Sequence, residues 1–255
     1  MSARRETGLA TVIAAAAAAY AAADIAHEGL GHGGACLLEG GQLLVLSTTY
    51  ADCSLSTRFI DGAGPTAGII VALLAWLWVR LVPPRRFAAR AFLVCLYAFA
   101  IFWNVGYMLK SGLFDAGDWA SVIRGLQPTL FWHASLVAAG IVFYALAMRF
   151  LAHAIRTRLA GSGEGTPRGF AIAAYGTAAL LSALAAAFDP RGAATILGDA
   201  LPSSLGAVGF AYVGWIMSRR DPALRLAATP SGSWQVGGFA VAALFIAVLG
   251  PGLRF

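Results

Sequence analysis

The apolar positions of this chain neither alternate nor form the one-sided stripe of a surface helix. They merge into seven near-continuous runs, at about 8–26, 64–82, 89–109, 130–152, 169–188, 201–218 and 234–250. A helix needs roughly 20 such residues to cross about 30 Å of hydrocarbon, and a helix that is apolar all round belongs in lipid or in a deep core. Breakers separate the runs: Pro83-Pro84, the Gly-Ser stretch 161–165, Asp189-Pro190 and Asp221-Pro222. The sixth run is the weakest, since it holds Pro202, Ser203 and Ser204. The pattern predicts an all-α polytopic membrane protein with about seven transmembrane helices in a single membrane domain, 1–255, without repeats.

Composition agrees. Of 255 residues, 59% are hydrophobic and 12% charged, against about 25% charged in soluble domains. This excludes a disordered chain and an ordinary soluble enzyme. The net charge of +6 would suit nucleic acid if it formed a patch, but it does not. With the N-terminus inside, 13 of the 18 basic residues fall at cytoplasmic ends of the runs and 5 at outer ends, so the charge is an orientation signal. It predicts N-in, C-out topology, a lipid bilayer as the partner and no nucleic acid. The Ala-, Arg- and Gly-rich, Lys-poor composition suits a bacterial inner-membrane protein. Residues 1–26 also have the shape of a cleavable signal peptide, and cleavage would leave six spans with the same sidedness.

Against this apolar background the few chemical groups stand out. Of four His and four Glu, three lie within six positions, His27-Glu28-Gly29-Leu30-Gly31-His32. Two neutral imidazoles can hold Zn²⁺ and leave positions for a further ligand and a water, from which the adjacent Glu28 can take a proton. The usual H-E-x-x-H pattern puts both imidazoles on one face, whereas i and i+5 stand about 140° apart on a regular helix. Convergence requires the helix to end or to widen into a π-turn, which Gly29, Gly31, Gly33 and Gly34 permit. Topology confines the third ligand to the same face. Asp118 is favoured, Asp115 is an alternative ligand or a hydrogen-bond acceptor, and His133 is a further ligand or an oxyanion donor. His153 falls at the opposite face. Asn104, a costly amide in an apolar span, is a candidate contact for substrate or for a neighbouring helix, and Tyr107 lies near it.

Cys36 and Cys53 share the expected outer loop 27–63, where a disulfide between them would persist, while Cys95 sits in the third run as a small apolar residue. Residues 40–50, bounded by Gly40-Gly41, are β-prone and predict a strand or hairpin. That segment is either an exposed edge for an extended peptide or a disulfide-closed cap.

Together these pieces resemble the M50 (site-2-protease-like) membrane metallopeptidases: His27-Glu28 with His32, the β segment 40–50, Gly64-Pro65 opening the next span, then Asn104 and Gly117-Asp118-Trp119. The match covers about residues 20–120, with additional helices over 130–250. The resemblance implies zinc held by His27, His32 and Asp118, Glu28 as general base, and a peptide or membrane-protein substrate cut near the outer face. The chain departs from the family in its H-E-x-x-x-H spacing and in Gly68, which stands where the family pattern has Asn. Two alternatives stay open: a zinc hydrolase acting on lipid amides, and a non-catalytic scaffold or transporter subunit.

Overall fold

The computed structural model describes residues 3–255, with side chains from Gly8 onward except Ala193 and Asp199. The basic residues Arg4 and Arg5 therefore lie outside the described side chains. Seven helical stretches are long and apolar enough to cross a membrane: 8–38, 58–78, 87–114, 129–159, 167–186, 196–220 and 232–249.

The first stretch is built in three parts: α1 (Ala3–Asp24), a π-helical segment (Ile25–Gly33) and α2 (Gly34–Leu38). The glycines from 29 to 34, read from sequence as the start of a loop at 27, do not end the helix. Glycine is well tolerated in membrane helices, and here it allows the backbone to widen and continue to Leu38. The connection that follows holds a hairpin of β1 (Leu43–Leu46) and β2 (Ala51–Cys53). Next come α3 (Arg58–Trp78), α4 (Phe87–Phe114), the short α5 (Asp118–Ile123) and α6 (Thr129–Ala154), which runs on as a π-turn to Leu159.

The segment β3 (Ala160–Gly165) bridges to Leu226, and α7 (Pro167–Ala186) starts from it. The weak sixth run is a broken span of α8 (Ala193–Thr195), a π-turn, α9 (Leu201–Gly206) and α10 (Val208–Arg220). Pro202 sits at the start of α9, where its missing N–H costs little. The chain closes with α11 (Gly232–Leu244), a further π-turn and β4 (Leu253–Arg254).

α1 lies at the centre and packs against α4, α7 and α11. Its buried face is an alanine stripe that includes Ala15, Ala16, Ala19 and Ala23. Small side chains let helix backbones approach closely, which is the main source of helix association where lipid is as apolar as the protein. Cleavage after residue 26 would remove the helix around which the others pack.

The sheet order is β2-β1-β4. The sequence raised β1 as an exposed edge, but it is the central strand. Val45 and Leu46 pair with Arg254 and Leu253, a partner brought from the far end of the chain. The Cys36–Cys53 disulfide joins α2 to β2. On the other side of the hairpin, Ser47 donates to Asp189 and Arg191 donates to Thr49 while stacking over Tyr50. Burial would raise the Asp189 carboxyl, but the Arg191 guanidinium holds it below its ordinary range and keeps the latch charged.

The packing of α11 on α1 makes a direct test possible. A Cβ on Gly238 would lie 2.3 Å from the Ala14 carbonyl oxygen, whereas one on Gly237 would meet nothing within 4 Å. Gly238→Ala should destabilise the detergent-solubilised protein by about 1–3 kcal/mol. Gly237→Ala should be neutral or stabilising by roughly 0.5–1 kcal/mol. Thermal unfolding of the two variants checks this, and equal melting temperatures would refute the packing.

Candidate metal centre

The π-helical segment solves the spacing problem of the motif. The Gly34 N–H reaches the Gly29 carbonyl, the i to i+5 bond that defines the widened turn. His27 and His32 thereby come onto one face, with their Nε2 atoms 3.3 Å apart. Both are buried, as is Glu28.

Each imidazole is held from behind. His32 Nδ1 lies 2.7 Å from the Ile60 carbonyl oxygen, which can only accept. In the neutral ring the proton therefore sits on Nδ1, and the Nε2 lone pair faces His27. The His32 ring rests on Gly64, where a Cβ would lie 2.2 Å from Nε2. Gly31 meets the same place on α3: its Cβ would lie 2.5 Å from the Gly64 Cα. His27 stacks flat on Trp103, with centroids 5.4 Å apart and planes at 9°.

The third group arrives from the turn after α4. Asp115 takes a left-handed conformation at φ 51° and Gly117 follows at φ 93°. Ser111 Oγ donates to the Ala116 carbonyl and closes the turn. This reversal brings Asp118, the first residue of α5, back over the two imidazoles. Its oxygens lie 3.2 Å from His27 Nε2 and 3.7 Å from His32 Nε2. Burial would raise the Asp118 carboxyl, but hydrogen bonds and positive charge from the imidazoles in their protonated form bring it well below the usual carboxylate range, and a shared cation would take the place of those protons. An ionised carboxylate facing two imidazoles is a donor set for a shared cation.

The dimensions fit a metal ion. Donors about 2.0–2.1 Å from a tetrahedral centre stand roughly 3.3–3.4 Å from one another, close to the spacings of 3.2, 3.3 and 3.7 Å here. Among the described residues, this is the one group of three or more such side chains whose ligand atoms converge, all within 4.8 Å. Glu28 stands beside it, with Oε1 3.9 Å from His27 Nε2. The Asp118 side chain keeps 23% exposure, which leaves an approach from that side.

The remaining candidates fall outside the cluster. His133 Nδ1 faces the Gly112 carbonyl at 3.2 Å, and its Nε2 lies 3.8 Å from Asp115. These two therefore form a separate pair. Asn104 is buried and donates from Nδ2 to the Ala100 carbonyl of its own helix, while its Oδ1 has no hydrogen-bond partner among the described residues. Tyr107 bonds Ser203 through its hydroxyl at 2.9 Å. Sequence reasoning missed three supports: Trp103, the Ile60 carbonyl, and Gly64 as the seat of the His32 ring. It also passed over Asp24, one turn before Glu28 and fully buried, whose carboxyl oxygens have no hydrogen-bond partner among the described residues. A lone carboxylate in an apolar run was the available signal.

No family model, curated protein or solved structure matches the chain.

The geometry predicts which variants lose metal. His27→Ala, His32→Ala and Asp118→Ala should each abolish stoichiometric metal in purified protein, and His133→Ala should retain it. Gly64→Ala should also lower metal content, because its methyl group takes the space of the His32 ring. Elemental analysis checks all five, and full metal content in Gly64→Ala would contradict the seating of His32.

Proposed function

We infer that the protein is a zinc-dependent membrane hydrolase of the metallopeptidase type, resembling a divergent M50 member and cutting peptide substrates near the outer membrane face. The observation that carries this reading is the convergence of the His27 and His32 Nε2 atoms at 3.3 Å with Asp118 beside them and Glu28 adjacent. Imidazole and carboxylate donors at tetrahedral spacing, without a thiolate, suit zinc in a hydrolytic site with one open position. Zinc bound there would polarise a scissile carbonyl and lower the pKa of a water to about 7.

The chain's own residues do the rest. Glu28, with Oε1 3.9 Å from His27 Nε2, would take the proton from the attacking water and return it to the leaving amine. Its burial keeps bulk water away and strengthens these charge interactions. The stack on Trp103 and the bond to Ile60 hold the imidazoles while substrate binds.

Asn104 supports the peptidase form of the reading. A Cβ on Gly68 would lie 2.2 Å from Asn104 Nδ2. The amide from α4 thus occupies the space above the position where the M50 pattern carries Asn. Gly64 lies under His32 and Gly68 one turn further along α3, so the amide stands roughly 6 Å from the imidazole along the helix axis. Its Oδ1, buried and without a hydrogen-bond partner among the described residues, is the acceptor this reading assigns to a peptide N–H. The asymmetry of basic residues supports an outer-side location for this end of the bundle.

Purified protein should contain one zinc per chain and cleave membrane-embedded peptide substrates, with a chelator abolishing turnover and zinc restoring it. Glu28→Gln should keep the zinc and lose at least about 10²–10⁴-fold in rate. A panel that includes lipid amides separates the substrate classes. Zinc-loaded protein that hydrolyses lipid amides and no peptide would overturn the peptidase assignment.

A further inference from the structure

At the end of the bundle away from the metal centre, a cavity of about 970 Å³ lies between α1, α7, the β3 segment and the loop 226–230. Leu9, on its wall, is 18 residues before His27, or roughly 27 Å down the first helix at 1.5 Å per residue. Phe87 and Phe170 are buried and form its floor, whereas Leu9 and Ile172 are 45% and 49% exposed, so the cavity opens outward. Close packing of glycines shapes it. A Cβ on Gly8 or Gly163 would meet the backbone of the 226–228 segment at 2.6 and 2.3 Å, which pins that segment and leaves the hollow beside it.

The rim carries two opposite charges, Glu164 and Arg168. Both are exposed. Neither side chain forms a hydrogen bond or ion pair among the described residues, and the two do not pair with each other. An apolar hollow at the end of the membrane spans fits an acyl chain. An unpaired cation and an unpaired anion at its mouth fit a headgroup that carries one charge of each sign.

We propose that this cavity is a binding site for a zwitterionic phospholipid with a primary ammonium group, a phosphatidylethanolamine. Its acyl chain lies against Leu9, Phe87 and Ile172, its phosphate meets Arg168 and its ammonium donates to Glu164. A quaternary choline headgroup cannot donate such a bond, and a glycerol headgroup has no cation for Glu164. The site is independent of the metal centre, so its failure would leave the hydrolase reading untouched.

Native mass spectrometry of the full chain, titrated with phosphatidylethanolamine, phosphatidylcholine or phosphatidylglycerol of matched acyl chains, tests the proposal. Rim contacts of this kind carry about a threefold to fivefold preference, so ethanolamine lipid should bind that much more tightly than the other two. Glu164→Gln should erase that preference, and Arg168→Gln should weaken all three lipids. Ala173→Trp, which fills the cavity, should remove the high-affinity adduct while zinc content stays at the wild-type level. The two rim variants are surface changes and decide the question even if Ala173→Trp fails to fold. Equal binding of the three lipids, or ethanolamine preference unchanged in Glu164→Gln, overturns the proposal.

Discussion

The site depends on one backbone feature, the widened helix between Ile25 and Gly33. With regular α-helical geometry, His27 and His32 would point about 140° apart, and no placement of Asp118 could bring three donors together. The π-turn replaces i to i+4 bonding with i to i+5 and turns a five-residue separation into a shared face. The glycines make the widening possible and also remove side chains that would otherwise occupy the neighbouring space. Leu46 packs beside Gly29 and Leu43 beside Gly33, so the sheet lies against the widened segment. The disulfide from Cys36 then fastens that sheet to the helix four residues beyond His32.

Small residues connect this feature to the rest of the helical bundle. α3 reaches the π-turn because Gly31 and Gly64 face each other with no room for a methyl group. That approach brings the Ile60 carbonyl to His32, and one turn later Gly68 receives the Asn104 amide. In lipid there is little hydrophobic drive between helices, so close van der Waals packing and internal hydrogen bonds hold the assembly. The same contacts that stabilise the α1–α3–α4 arrangement therefore orient the candidate ligands. A single methyl at Gly64 acts on fold and site together.

Much of this was legible in the sequence, and the gaps have physical causes. Continuous apolar runs identified the seven spans, and the rarity of His, Glu and Asp pointed to the residues that converge. The disulfide followed from two cysteines sharing one loop. The length of the first helix was misread, because clustered glycines usually break a helix in water but not in a packed membrane span. β4 was invisible because two residues, Leu253 and Arg254, carry no period, and their partner strand is about 200 positions away in sequence. The seat of His32 on Gly64 and the stack of His27 on Trp103 are tertiary contacts that no local pattern encodes. His133, though on the favoured face, is drawn to Asp115 and the Gly112 carbonyl instead.

The bundle thus separates two chemistries: buried imidazole and carboxylate donors at one end, and an apolar hollow with a charged rim at the other. A widened helix makes an i, i+5 histidine pair into half of a candidate metal site. Zinc K-edge X-ray absorption on the purified full chain tests it most directly. The expected spectrum shows a stoichiometric ion with two imidazole nitrogens and carboxylate or water oxygens at about 2.0–2.2 Å and no sulfur. A protein without stoichiometric metal, or an ion whose neighbours include sulfur or fewer than two imidazoles, would contradict it.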